Sequence, residues 1–222
     1  MATHENTYLK IVKTVVLYFW RGYQVFLGLL LVGMLWGVLS LAEYLKYWDI
    51  KALDRETPST TSFMNVEHQR LQESDSGPRD ILYSWVSYED IPVVLREMVL
   101  IAEDAKFYEH SGFDLSEIEY AIVSNHQKGK KARGASTISQ QVVKNLYLSS
   151  DKKMSRKIRE AGMTLLLENT ISKRRILELY LNIAQFGPGV FGVSEAAEYH
   201  FGKELARLSV AQIARLVALI PS

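Results

Sequence analysis

Three stretches of this chain gather side chains that could do chemistry. The first runs Glu103-Asp104-Ala105-Lys106-Phe107-Tyr108-Glu109-His110-Ser111-Gly112. Two carboxylates end an apolar helical pattern, followed by aromatics, a histidine and a glycine. A carboxylate against an apolar wall titrates higher than one in water, which suits acid or base work. The same residues also read as a solvated, charged helix end. The second stretch, Gly134-Ala135-Ser136-Thr137-Ile138-Ser139-Gln140-Gln141, continues to Lys144 and Asn145. Small and hydroxylated residues lead into a helix. Such a helix start offers backbone N–H donors and a positive dipole end to an anion. Ser136, Thr137, Gln140 and Lys144 add donors of their own. Capping by Ser136 or Thr137 is compatible with that role. The third stretch, Arg156-Lys157-Ile158-Arg159-Glu160, sets Arg156 one helical turn before Glu160, so the two can share a face. Taken alone, it is also what a surface ion pair looks like.

Positioning these groups calls for helices, and helical patterns dominate. Pro92 opens one carrying Val94, Leu95, Met98, Val99 and Ala102. Further helices are expected over 115–124, 137–146, 155–168, 173–184, 193–201 and 208–219, the last stopped by Pro221. Residues 83–86 form a short strand or an extended entry. Residues 127–133 are basic and polar, a loop. The expected fold is mainly α, with little strand.

Ahead of this domain, Gly22 to Ala42 carry no charge. About 20 apolar residues suffice for a helix to cross the hydrocarbon core. Trp20, Tyr23, Tyr44, Tyr47 and Trp48 flank the run, where amphipathic aromatics favour the headgroup zone, and Lys10, Lys13 and Arg21 precede it. The basic bias puts the N-terminus in the cytoplasm. The run is longer than a signal-peptide core and starts late. The chain thus divides into a cytoplasmic N-terminus (1–21), a transmembrane anchor (22–45), a juxtamembrane linker (46–80) with a short helix over 66–72, and a domain (81–222). The 222 residues leave one domain of ordinary size after the anchor. A net charge of +1 gives no support for bulk attraction to nucleic acid. With no cysteine, disulfides, thiolate metal sites and a cysteine nucleophile are excluded.

In order, these blocks resemble the signatures of the peptidoglycan glycosyltransferases, glycosyltransferase family 51. Glu103 to Gly112 is similar to their first motif, Gly134 to Gln141 with Lys144-Asn145 to the second, Arg156 to Glu160 to the third, and Arg175-Ile176-Leu177-Glu178-Leu179-Tyr180-Leu181-Asn182 to the fourth. Phe186-Gly187 to Gly192, Ala196-Ala197 and Phe201-Gly202-Lys203 are similar to the stretch beyond the fourth motif in that family, and the last helix to the fifth motif. Five ordered blocks are far more specific than one. The resemblance, to the monofunctional branch, implies a lysozyme-like, mainly α domain with a larger lobe and a smaller membrane-embedded one. It implies lipid II as substrate, membrane lipid and the growing glycan strand as partners, and inverting transfer with undecaprenyl pyrophosphate leaving. The expected place is the bacterial inner membrane, single-pass, with the catalytic domain periplasmic and other cell-wall synthesis proteins as neighbours.

By resemblance Glu103 is the base. Glu160 is the second carboxylate, holding a divalent cation (Mg²⁺ or Mn²⁺) or orienting the basic groups around the pyrophosphate. Lys144 contacts phosphate, with Ser136, Gln140 and Arg156 alongside. Asp104 supports Glu103 or the metal. Lys152 falls where relatives carry arginine and would keep the charge but lose the bidentate fork. His110 reads as a structural hydrogen-bonder, and Phe107, Tyr108 and 115–124 as the lobe that meets lipid or as ordinary core. Two other readings stay open: a lysozyme-like glycan hydrolase and a non-catalytic cell-wall scaffold. The basic constellation argues against the hydrolase, and the intact Glu103 and Glu160 argue against the scaffold.

Overall fold

A computed structural model of the chain describes residues 2–46, 50–73, 80–128, 136–148 and 154–220. The chain forms two units, Met1–Trp48 and Asp49–Ser222.

The first unit is one helix, α1 (Ala2–Lys46). Its apolar stretch, Lys13–Ser40, is exposed along its length. At 1.5 Å per residue these 28 residues span about 42 Å, more than the ~30 Å hydrocarbon core. The helix is therefore long and apolar enough to cross a membrane. Its apolar stretch starts earlier than the 22–45 read from charge alone, because the isolated Arg21 does not interrupt the helix.

The second unit is mainly α. Its helices are α2 (Ser62–Gln72), α3 (Val93–Glu103), α4 (Leu115–Lys128), α5 (Ile138–Tyr147), α6 (Met154–Thr170), α7 (Lys173–Ile183), α8 (Val193–Phe201) and α9 (Val210–Val217). Five of these starts have a local cause. Thr61, Thr137, Ser172 and Ser209 cap α2, α5, α7 and α9 with side-chain oxygens, and Pro92 precedes α3. α8 ends at Gly202, whose φ of 58° suits a residue without Cβ. A small sheet of β1 (Leu82–Tyr83), β2 (Gln185–Gly187) and β3 (Val190–Phe191) has the order β1-β3-β2. β1 runs parallel to β3, and β2 antiparallel to it.

The core gathers on α5 and α7, where Ile138, Val142, Val143, Ile176, Leu177, Leu179 and Leu181 are completely buried. α5 packs against α7, α6 and α2, while α3 packs against α9. The segment expected as a linker (46–80) is, in its described part, folded into this unit. Ile50, Leu53, Met64 and Leu71 are buried, and α2 lies on α5. Its polar composition hid an amphipathic pattern that a tertiary partner completes. The expected 127–133 loop lies from Gly129 onward outside the described residues.

Candidate active site

The first two motifs form one hydrogen-bonded unit. The chain leaves α3 at Asp104 with φ −163° and ψ 74°, so neighbouring Glu103 and Asp104 aim apart. The Asp104 carboxylate turns inward, its side chain 3% exposed. It accepts the Ile138 N–H at 2.9 Å, at the positive end of α5. It also meets His110 Nε2 at 2.9 and 3.2 Å. His110 Nδ1 accepts the Gly112 N–H at 3.1 Å, so Nε2 carries the proton it gives to Asp104. The Gly112 carbonyl accepts from Thr137 Oγ1 at 2.7 Å. Thr137 and Gln140 close a reciprocal capping box, with Thr137 N–H donating to Gln140 Oε1 at 3.1 Å and Gln140 N–H to Thr137 Oγ1 at 3.3 Å. Gly112 has a φ of 98°, and a Cβ there would meet Thr164 Cγ2 of α6 at 2.8 Å. The histidine-x-glycine spacing thus serves a tight loop clamped between α5 and α6.

Glu103 points the other way and is half-buried. Its Oε2 accepts from Gln141 Nε2 at 2.9 Å. Gln141 Oε1 in turn accepts from the Tyr180 hydroxyl at 3.3 Å. Burial raises Tyr180's phenol well above its usual range, and the Glu103 carboxylate adds to the rise. One turn along α5 stands Lys144. Crowding by surrounding protein lowers its pKa; the Glu160 carboxylate pulls it back up, the Arg156 and Lys157 charges push it down, and Glu103 raises it. Lys144 is nonetheless exposed by surface area. An open but crowded position reconciles the two, since solvent reaches the side chain while protein still displaces much of its hydration. Glu160 is 3% exposed and held by two cations of its own helix, Arg156 Nη1 at 3.2 Å and Lys157 Nζ. Arg156 keeps one buried nitrogen, Nε, with no partner. Two carboxylates, Glu103 and Glu160, three cations and a buried phenol are therefore gathered from the end of α3 and from α5, α6 and α7.

A transglycosylase family model matches residues 69–222. The chain belongs to that family. It is 40% identical to the biosynthetic peptidoglycan transglycosylase of Nitrosospira multiformis over 92% of this chain and 85% of that one. It is 45% identical to the proteins of the same name from Chromobacterium violaceum (74% and 72% covered) and Pseudomonas aeruginosa (77% and 73%). A mainly helical domain with an N-terminal apolar helix fits that family, and peptidoglycan synthesis belongs to the cell envelope.

Within this candidate site, the expected residues divide. Glu103, Lys144, Arg156 and Glu160 come together. Asp104 and Gln140 are buried and engaged with the α5 start: the Asp104 carboxylate accepts the Ile138 N–H, and Gln140 Oε1 accepts the Thr137 N–H. Two N–H donors of the α5 start, those of Ile138 and Gln140, therefore already have internal acceptors. Ser136 is exposed just ahead of the cap. Lys152 lies outside the described residues. Phe107 is core, 1% exposed beneath Lys173, whereas Tyr108 is exposed. As for a divalent cation, both Glu160 oxygens already hold cations, and among the described residues no three His, Asp or Glu side chains gather. This donor set does not fit Mg²⁺ or Mn²⁺ at Glu160.

Three contributors escaped sequence reasoning. Gln141 and Tyr180 meet at Glu103, and Lys157 shares Glu160. Spacing could have found two of them. Gln141 sits three residues before Lys144, and Lys157 three before Glu160, each on a common helix face. Tyr180 carries no such signal, because its approach depends on how α7 packs on α5. The rest of the fourth motif is structural. Asn182 bonds both the N–H and the carbonyl of Val86, at 2.8 and 2.9 Å. Arg175 donates to the carbonyls of Leu53 and Glu56 and pairs with Glu178, which receives the Tyr88 N–H.

Proposed function

We propose that the protein polymerises lipid II into peptidoglycan glycan strands, with Glu103 as general base and Lys144, Arg156 and Lys157 as the sink for pyrophosphate charge. Glu103 takes the proton of the acceptor's 4-hydroxyl, whose oxygen attacks the donor's anomeric carbon from the face opposite the leaving group. The anomeric C–O bond breaks, its electron pair leaves on undecaprenyl pyrophosphate, and configuration inverts. General base catalysis contributes about 10²–10⁴-fold. Positioning and charge stabilisation supply the rest. The observation that carries this reading is that Glu103 is hydrogen-bonded to Gln141 of α5, in the same helix as Lys144, while Arg156 and Lys157 pair with Glu160 on α6, which packs on α5. A hydrolase of neutral glycosidic bonds has no use for such a cation cluster. Glu160 works as a counter-charge that fixes Arg156 and Lys157. Asp104 works through the frame it builds around α5.

The substrate lipid stays in the bilayer, so tethering by α1 confines enzyme and substrate to one surface and raises encounter. The N-terminus lies in the cytoplasm and the domain outside, in keeping with Lys10, Lys13 and Arg21 before the apolar run. The test is the full chain in detergent with labelled lipid II, with divalent cation added or chelated. Lysozyme-sensitive polymer is expected, and none from Glu103→Gln at an unchanged melting temperature. Wild-type polymer yield from Glu103→Gln would remove the base. Degradation of preformed glycan with no polymer made would replace the polymerase with a hydrolase.

A further inference from the structure

The Glu103 carboxylate stands at the end of a directed chain of hydrogen bonds that begins inside the core. Tyr180 is 1% exposed on α7. Its hydroxyl donates to Gln141 Oε1 at 3.3 Å, and Gln141 Nε2 donates to Glu103 Oε2 at 2.9 Å. We propose that Tyr180 and Gln141 are positioning residues for the polymerisation, a one-way relay that sets the Gln141 amide so that its N–H, never its carbonyl, faces Glu103. The inference rests on Glu103 being the base.

The direction comes from donor inventories. An ionised carboxylate only accepts, so Glu103 needs the NH₂ end of the amide. That leaves Oε1 facing Tyr180, where only the phenol hydrogen can satisfy it. A buried phenol that has to donate there stays protonated, and burial together with the Glu103 charge favours its protonated form further. Were the hydroxyl absent, the amide could turn over and set an oxygen against the carboxylate. A donor to the charged form favours that form, and an acceptor opposes it. The relay therefore keeps Glu103 aimed before substrate arrives, and still permits it to take a proton, since a carboxylic acid retains an accepting oxygen. Among the described residues, Lys144 from α5 and Tyr180 from α7 bear on Glu103, and Asp104 is its chain neighbour. Tyr180 bears on it directly as well as through the Gln141 amide.

Tyr180→Phe keeps the ring and removes the hydroxyl. In the lipid II assay, kcat is expected to fall roughly 10- to 150-fold, the range of losing one hydrogen bond to a charged group, with KM unchanged. Gln141→Leu should reproduce the loss of kcat at unchanged KM, and Gln141→Asn, too short to span, should not restore it. A Tyr180→Phe enzyme with wild-type kcat overturns the relay. So does a lowered kcat accompanied by an equally raised KM, or one that tracks a lowered melting temperature, since either marks a packing role. Glu103→Gln run alongside separates the failures. If it remains active, the base assignment falls and the relay with it; if it is dead while Tyr180→Phe is unaltered, only the relay falls.

Discussion

Gly112→Ala is the sharpest test of the frame beneath the site. At φ 98° an L side chain is strained, by about 1–2 kcal/mol. The added methyl would stand 2.8 Å from Thr164 Cγ2 and 3.2 Å from Glu168 Cγ, both on α6, a helix held by the core. Overpacking of that kind costs about 1–3 kcal/mol. The two add to roughly 2–5 kcal/mol, or a fall in melting temperature of roughly 4–20 °C for a domain of this size. The contributions can be separated. Thr164→Ser removes Cγ2 and keeps the hydroxyl that donates to the Glu160 carbonyl at 2.7 Å. By itself it loses one buried methyl, about 1 kcal/mol. In a double-mutant cycle followed by circular dichroism of the full chain in detergent, Thr164→Ser should return about 1–3 kcal/mol to Gly112→Ala and leave the backbone strain. Gly112→Ala within ~0.5 kcal/mol of wild type would refute the argument. A loss that Thr164→Ser leaves wholly untouched would refute its steric half.

Asp104→Ala strips the acceptor from His110 and from the Ile138 N–H, and should cost about 2–6 kcal/mol by denaturant unfolding, with two donors each left unsatisfied at about 1–3 kcal/mol; a loss under ~1 kcal/mol would mean the carboxylate is not what joins α3 to α5. Lys144→Met should be more stable than wild type at neutral pH yet polymerise roughly 10- to 150-fold more slowly, the cost of one charge-assisted hydrogen bond. The sign comes from proton counting. Folding lowers the Lys144 pKa, so between that value and the ordinary lysine 10.5 the unfolded chain binds a proton the folded one lacks. Stability of the wild type therefore rises with pH across that window, and the variant's should stay flat there. Inorganic pyrophosphate should raise the wild-type melting temperature and leave that of Lys144→Met unmoved; equal shifts in both would take Lys144 out of the anion site.

Much of this was legible because it is local. α8 begins and ends where its pattern said, and the other helices differ by a few residues, at ends where capping or the last turn decides. Glu103, Lys144, Arg156 and Glu160 were legible as a group only through the ordered motifs, since nothing in the spacing says that α3 and α6 meet beside α5. What misled was composition. Residues 50–73 are polar enough to look like a linker, and only against α5 does burying Met64 and Leu71 make sense. Gln140 and Asp104 looked like ligand contacts because they are polar and lie in motifs. Their atoms complete a helix start instead, a three-dimensional fact that one capping box hinted at.

The deeper division is between carboxylates that act and carboxylates that hold. Asp104 and Glu160 are each 3% exposed in their side chains and each saturated with internal donors. Of the three, Glu103 is the one left half-open, with Gln141 donating to one oxygen and Tyr180 beside it. Concentrating Lys144, Arg156 and Lys157 with no counter-charge would cost stability through their repulsion, and the depressed Lys144 pKa records part of that strain. Glu160 removes one positive charge from the sum and pins two of the three side chains. With Lys144 protonated, two positive charges remain, matching the roughly two negative charges of a pyrophosphate diester. A neutralised cluster would bind the leaving group poorly, and an unrelieved one would not stay folded in place. On this reading Glu160 is essential without touching substrate, because its charge sets how much attraction the cations keep for the pyrophosphate.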